Sequence, residues 1–295
     1  MTPTDPVAVL PVLADAAREA GTLLLRASRP APAVDVAGFR RALDAIEAPL
    51  VPVLRERLDA LRPGVPWAAE LDECVPDRGE VWVVDAIDGA VQYLQGLPQF
   101  CVSLALVRDG EPVAAALHAP LLGETYTAAF GEGAARNGER IRPSMKTDPA
   151  AAVLATSHPP LLAAREPGLA EPAGRALAAV LPRVGAVRNL GPTSWQLADV
   201  AAGRLDGFWQ VGRDDANLLG GVLIAREAGA VATDLYGLPW RAGATSVLVA
   251  GPGLRGRLLA PLSAVASSPA VMPALAAGTR GAGWRSRDST GCGMR

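Results

Sequence analysis

The spacing of apolar residues changes character near residue 150, and that change limits the fold more than any single motif. Before it, strand follows strand. VWVVDAI leads into FCVSLALVRDGEPVAAALHAP, which folds back at Asp109-Gly110; GETYTAAF and ARNGERI come next, with a second turn at Asn137-Gly138. Asp-Gly and Asn-Gly close two-residue hairpins because both central positions of that turn need positive φ. After it, strands and helices alternate. AVLATS, AVRNLG, LDGFWQVG and TSVLVAG read as strands, and they are separated by the Ala-rich stretch 169–181, TSWQLADVAAGRL and ANLLGGVLIAREAG as helices. An antiparallel meander followed by an alternating region predicts an α/β (α+β) chain built in packed layers.

Two helical stretches precede the strands. Leu10, Leu13, Ala17, Ala20 and Leu24 share one helical face, and Val36 to Leu61 forms a second stretch that Pro49 and Pro52 kink or split. The expected division is 1–148 for the helices and antiparallel sheet, 149–264 for the α/β part, and 265–295 for a mobile, Gly/Ser-rich tail. A chain of 295 residues, 50% apolar, is long enough to bury a large core. Its net charge of -2, with no basic block, gives no electrostatic reason to expect a nucleic acid polymer or a membrane as partner. Cys74, Cys101 and Cys292 are scattered and fit a reducing compartment. The N-terminus lacks a basic leader and no apolar run reaches about 20 residues, so a cytoplasmic protein is expected.

The chemistry concentrates where VWVVDAI ends in Asp85, Asp88 and Gly89. Mg²⁺ takes hard oxygen ligands, few of them from protein, and completes its shell with water and phosphate. Two carboxylates three residues apart at a strand end, with the Ile87 carbonyl between them, can meet one such ion. Gly89 and Ala90 then open a helix whose free N–H groups can face an anion. A surface turn with two solvated acids would read the same way.

The surrounding sequence resembles the inositol monophosphatase family of Mg²⁺-dependent phosphatases. WVVDAIDGAVQY is similar to that family's W-V-x-D-P-I-D-G-T-x-N-F, ARNGERIRPS to its N-G-x-x-I-x-x-S turn, and RNLGPTSWQLADVAAGRLDGFW to its L-G-S-A-A-L-D-L-x-x-V-A-A-G-x-L-D-G-Y-W. ANLLGGVLIAREAGA resembles its second signature, W-D-x-A-A-G-x-L-I-x-x-E-A-G-G. The resemblance runs in order over residues 7 to 255 and implies a layered αβαβα sandwich that binds two or three Mg²⁺ and forms homodimers. It also implies that Glu70 (with Asp72 and Glu73 as rivals), Asp85, the Ile87 carbonyl and Asp88 are metal ligands. Glu70, Asp85 and Asp88 would then be the catalytic carboxylates, acting on a small phosphate monoester: a polyol, sugar or nucleotide phosphate. Gly89, Ala90, Gln210, Asp214 and Asp215 are the expected phosphate- or substrate-facing set.

The chain departs from the family where the chemistry is. An ungapped match of LIAREAG puts Asn217 at the metal-binding Asp, which weakens the second metal site unless Asp215, or next Asp214, compensates. Ala90 replaces a water-positioning Thr, Gln210 a substrate-contacting Glu, and Gln92 an Asn. Asp214 falls near a commonly basic position. The family's third-metal element maps only onto Asp44 and Glu47, two acids that also suit a solvated helix face. These departures leave an alternative: a repurposed or catalytically impaired relative with a non-phosphatase activity or a binding role.

Overall fold

The structure, a computed structural model, describes residues 5–68, 75–158, 160, 161, 166 and 168–267. Three helices come first: α1 (Pro6–Arg26), α2 (Val36–Glu47) and α3 (Leu50–Leu61). Asp5 caps α1, its carboxylate accepting the Val7 N–H at 2.9 Å, and Pro6 fills the first turn, where a missing N–H costs nothing. Pro49 splits the second helical stretch and stands at the N-cap of α3.

Among the described residues, seven strands form the first sheet in chain order: β1 (Trp67–Ala68), β2 (Glu80–Asp88), β3 (Cys101–Arg108), β4 (Glu111–Ala119), β5 (Glu124–Ala129), β6 (Gly133–Arg136) and β7 (Glu139–Arg140). All neighbours are antiparallel except β1 and β2. Asp109 and Gly110 have φ of 52° and 77°, and Asn137 and Gly138 have 51° and 83°, so both predicted hairpin turns take the left-handed conformation they require. A short helix, α4 (Ala90–Gln95), comes after β2.

The second half contains β8 (Val153–Thr156), α5 (Ala170–Val180), β9 (Ala186–Arg188), α6 (Thr193–Ala201), β10 (Gly207–Val211), α7 (Asp215–Ala228), β11 (Val231–Thr233), β12 (Ser246–Ala250) and α8 (Pro252–Ala266). Its strands form a mixed sheet in the order β11-β12-β10-β8-β9. Neither β11 nor α8 was expected from the sequence. Pro252 sits in the first turn of α8, and Leu254, Leu258, Leu262 and Ala266 bury one face at four-residue spacing. This helix runs past residue 264, where the mobile tail was expected to start; residues 268–295 lie outside the described residues.

Strand alternation builds three cores. On β2, Trp82 and Val84 face α1, α2 and α3, while Val81 and Val83 face α6 and α7. On the second sheet, Phe208, Val247 and Val249 pack against α6 and α7, while Trp209, Leu248 and Ala250 pack against α5 and α8. The layers therefore run α–β–α–β–α. Trp195, Trp209 and Trp240 are all buried in these cores. Among the described residues, no helix is long and apolar enough to cross a membrane.

Candidate active site

Strict alternation would send Asp85 and Asp88 to opposite faces of the sheet. A register shift in β2 prevents this, because Asp85 pairs with Ser103 and Asp88 with Cys101, so that two residues, Ala86 and Ile87, oppose one, Val102. Such a bulge re-aims the side chains beyond it. Ala86 and Ile87 turn into the α1–α3 core, and both acids are buried at the opposite side, with exposures of 3% and 7%. The Asp85 carboxylate accepts the Ile87 N–H at 2.9 Å, which fixes the turn.

Asp88 reaches across to the second half of the chain. Its Oδ2 accepts the Ser194 N–H at 2.8 Å and also the Ser194 hydroxyl. Pro192, at the N-cap of α6, makes no side-chain capping bond, so Asp88 satisfies that helix start from a different sheet. Burial pushes the Asp88 carboxyl up to about 6, and the charge of Asp214 adds to the effect against the opposing Ser194 hydrogen bonds. The two acids are therefore close enough to repel. Cys101, fully buried, places its Sγ 3.6 Å from Ser194 Oγ.

Two glycines let the halves meet. Gly89 has φ of 95°, and a Cβ there would lie 2.6 Å from Pro192 Cγ and 2.7 Å from the Gln99 carbonyl oxygen. Gly191 has φ of 105°, and a Cβ there would lie 1.8 Å from Gln92 Nε2. Ser157 Oγ donates to the Gly191 carbonyl at 3.0 Å, fastening the same loop to the end of β8.

The second-half residues form a chain of side-chain hydrogen bonds. Thr193 Oγ1 donates to Gln210 Oε1 at 3.4 Å, Gln210 Nε2 to Asp214 Oδ2 at 2.9 Å, and Asn217 Nδ2 to Asp214 Oδ1 at 2.7 Å. Asp215 points its bonds elsewhere: Arg213 pairs with it at 2.7 Å, and the Gly243 N–H bridges both its oxygens at 2.9 Å. Ala90 is the first residue of α4 and half-buried. Asp44 lies on the exposed side of α2, whose buried positions are Ala42 and Ile46. Glu70, Asp72 and Glu73 lie outside the described residues. Ser194 was not anticipated as a partner of the first motif; the only signal for it was a hydroxyl at the start of a helix.

Among the described residues, no three acidic, histidine or cysteine side chains converge into a complete cation cage. Mg²⁺ does not need one, since it keeps water and takes few carboxylates. Buried carboxylates that repel each other, as Asp88 and Asp214 do, are relieved by a divalent cation. The oxygen donors present fit such an ion.

Comparisons with known proteins agree with the layered fold. A sequence model described as the Inositol monophosphatase family matches residues 9–267. An inositol-1-monophosphatase of Rhizobium meliloti is 36% identical over 190 residues, covering 63% of this chain and 69% of that protein. The Nus factor SuhB of Escherichia coli is 30% identical over 235 residues, covering 78% of this chain and 86% of that protein. A solved inositol monophosphatase from an Anabaena (Nostoc) species superposes with a TM-score of 0.74 at 25% identity, covering 86% of this chain and 95% of that one.

Proposed function

Because the chain belongs to the inositol monophosphatase family, we propose that it hydrolyses a small phosphate monoester of a polyol, sugar or nucleotide in a Mg²⁺-dependent reaction. The observation that supports this most is the bulge in β2, which buries Asp85 and Asp88 on one side of the sheet against the start of α6. Asp85, the Ile87 carbonyl and Asp88 would hold the cation, with Glu70 as a further ligand. When bound, the cation supplies positive charge to the phosphoryl oxygens. In the reaction a new P–O bond forms to water, the ester P–O bond breaks, and the alcohol oxygen leaves with a proton. Ser194 keeps Asp88 oriented through both its N–H and its hydroxyl. The Gly89 and Ala90 amides face the phosphate. Ala90 has no hydroxyl to orient the attacking water, a deficit on the order of 10²-fold in rate.

A second reading, a repurposed or catalytically impaired relative, is favoured by Gln210 and Asn217. Both spend their amide donors on Asp214 and bring no charge of their own. The Escherichia coli relative, moreover, carries the name Nus factor. The deciding experiment is phosphate release from a panel of sugar, polyol and nucleotide phosphates with Mg²⁺, Mn²⁺ or EDTA, alongside an Asp88→Asn variant. Cation-dependent turnover that disappears in the variant supports the phosphatase. Silence across the panel from folded protein would overturn it in favour of the second reading.

A further inference from the structure

Asp88 meets the second half of the chain through α6, which packs on one face of the second sheet; α5 and α8 pack on the other. This outer layer does not close completely. Between the end of α5, a 3-10 turn at Pro149–Ala151 and the middle of α8 lies a cavity of about 250 Å³. Pro261 stands inside α8 at its edge, where the ring replaces a hydrogen-bonding N–H and crowds the turn that carries Arg257.

The floor of the cavity is apolar and its mouth is charged. Val180 and Leu258 are buried there, and Val184 and Pro261 half-buried. Arg183, Arg257 and Asp148 line it from exposed positions. Asp148 is engaged in its own turn, accepting the Ala150 N–H at 3.0 Å. Arg183 gives one amino group to the Ala179 carbonyl at 2.6 Å, at the end of α5. Among the described residues, the Arg257 guanidinium makes no hydrogen bond or ion pair, and Asp148 pairs with neither arginine.

We propose that this cavity binds a small monocarboxylate, its carboxylate on Arg183 and Arg257 and its hydrocarbon body against Val180, Val184, Leu258 and Pro261. The site is separate from the phosphatase reading and does not depend on it. Size, charge and shape set the class. The volume falls below the roughly 300–1,000 Å³ of pockets that take drug-sized ligands, so the occupant is smaller. Two guanidinium charges against one carboxylate leave a single positive charge at the mouth, which matches a monoanion; a phosphate dianion would also face Asp148. A guanidinium fork presents paired N–H groups in the geometry a carboxylate accepts. The apolar floor offers a polyol's hydroxyls no partners, so a sugar phosphate is disfavoured there.

The probe is 4-methylpentanoate, titrated into the full chain by calorimetry and followed by the melting midpoint. Saturable binding is expected, with a midpoint that rises with ligand concentration. The alcohol 4-methylpentanol has the body without the charge, and inorganic phosphate has charge without the body. Each should bind at least about tenfold more weakly than the acid. Arg257→Met keeps an apolar stem and breaks no side-chain hydrogen bond or ion pair among the described residues; it should weaken the acid about fivefold. Ala150→Trp, which fills the mouth from an exposed position, should abolish binding. No saturation below about 10 mM overturns the proposal, as does alcohol or phosphate binding as tightly as the acid. Parent affinity in both variants overturns it too. If Ala150→Trp does not fold, the double variant Arg183→Met with Arg257→Met replaces it, and a loss below about tenfold overturns the assignment. Silence in the phosphate-release panel would leave this result unchanged, so the two readings fail separately.

Discussion

Replacing Gly89 with alanine separates two demands that the turn after Asp88 makes on its residue. The first is conformational: φ at 89 is 95°, a region that costs an L-residue about 1–2 kcal/mol. The second is steric. A Cβ there would meet Pro192 Cγ at 2.6 Å, the Gln99 carbonyl oxygen at 2.7 Å and Phe100 Cα at 3.0 Å, and two of these are backbone atoms that cannot rotate aside. Overpacking of this kind costs a further ~1–3 kcal/mol. Gly110 provides the control, because its φ is 77° and a Cβ there meets nothing within 4 Å. Gly110→Ala should therefore show only the first cost. With about 2–4 °C of melting midpoint per kcal/mol for a chain near this size, Gly89→Ala should melt about 2–12 °C below Gly110→Ala. Thermal unfolding followed by far-UV circular dichroism measures the difference. Coincident midpoints would mean that the loop carrying Pro192 yields freely, and that the halves are not locked together at the first motif.

Two other perturbations probe what supports the layers. Burial, together with the nearby Arg18, holds the His118 imidazole below its usual 6.5, and its Nδ1 lies 3.0 Å from Thr125 Oγ1. The neutral ring is favoured in the fold, so the unfolded chain takes up the extra proton, and stability should be full above pH 6.5 and decline as pH falls below it. Denaturant unfolding at about pH 8 and about pH 5 should show a smaller pH effect in His118→Gln than in the parent; equal slopes would refute the assignment. Lys146, the only lysine, places Nζ 2.8 Å from Asp206, whose side chain is 3% exposed. Lys146→Met leaves that acid with the Val153 N–H at 2.7 Å and the Ser144 hydroxyl, and should cost about 1–3 kcal/mol in urea unfolding without altering cation affinity. A loss below about 0.5 kcal/mol would show that solvent replaces the lysine.

What the sequence disclosed and what it hid divide along contact distance. Hairpin turns at Asp109-Gly110 and Asn137-Gly138 were legible because the dihedral demand and the residues that meet it are the same two positions. The pair Asp85 and Asp88 was legible as acids, but the bulge that puts them on one side was not. A bulge is a mismatch with β3, and no count within β2 contains it. Ser194 lies 106 residues from the carboxylate it holds, and no local pattern marks it. Position 215 makes the same point most sharply. Read alone, Asp215 comes first and Asp214 next as a substitute for a charge missing at Asn217. The structure gives them different partners: the Gly243 N–H, 28 residues away, bridges both oxygens of Asp215, while Gln210 on the preceding strand donates its amide to Asp214. Which donors each acid accepts is a property of the packed chain. A sequence motif names the residue types a site needs, while the fold decides which copy of each type can serve.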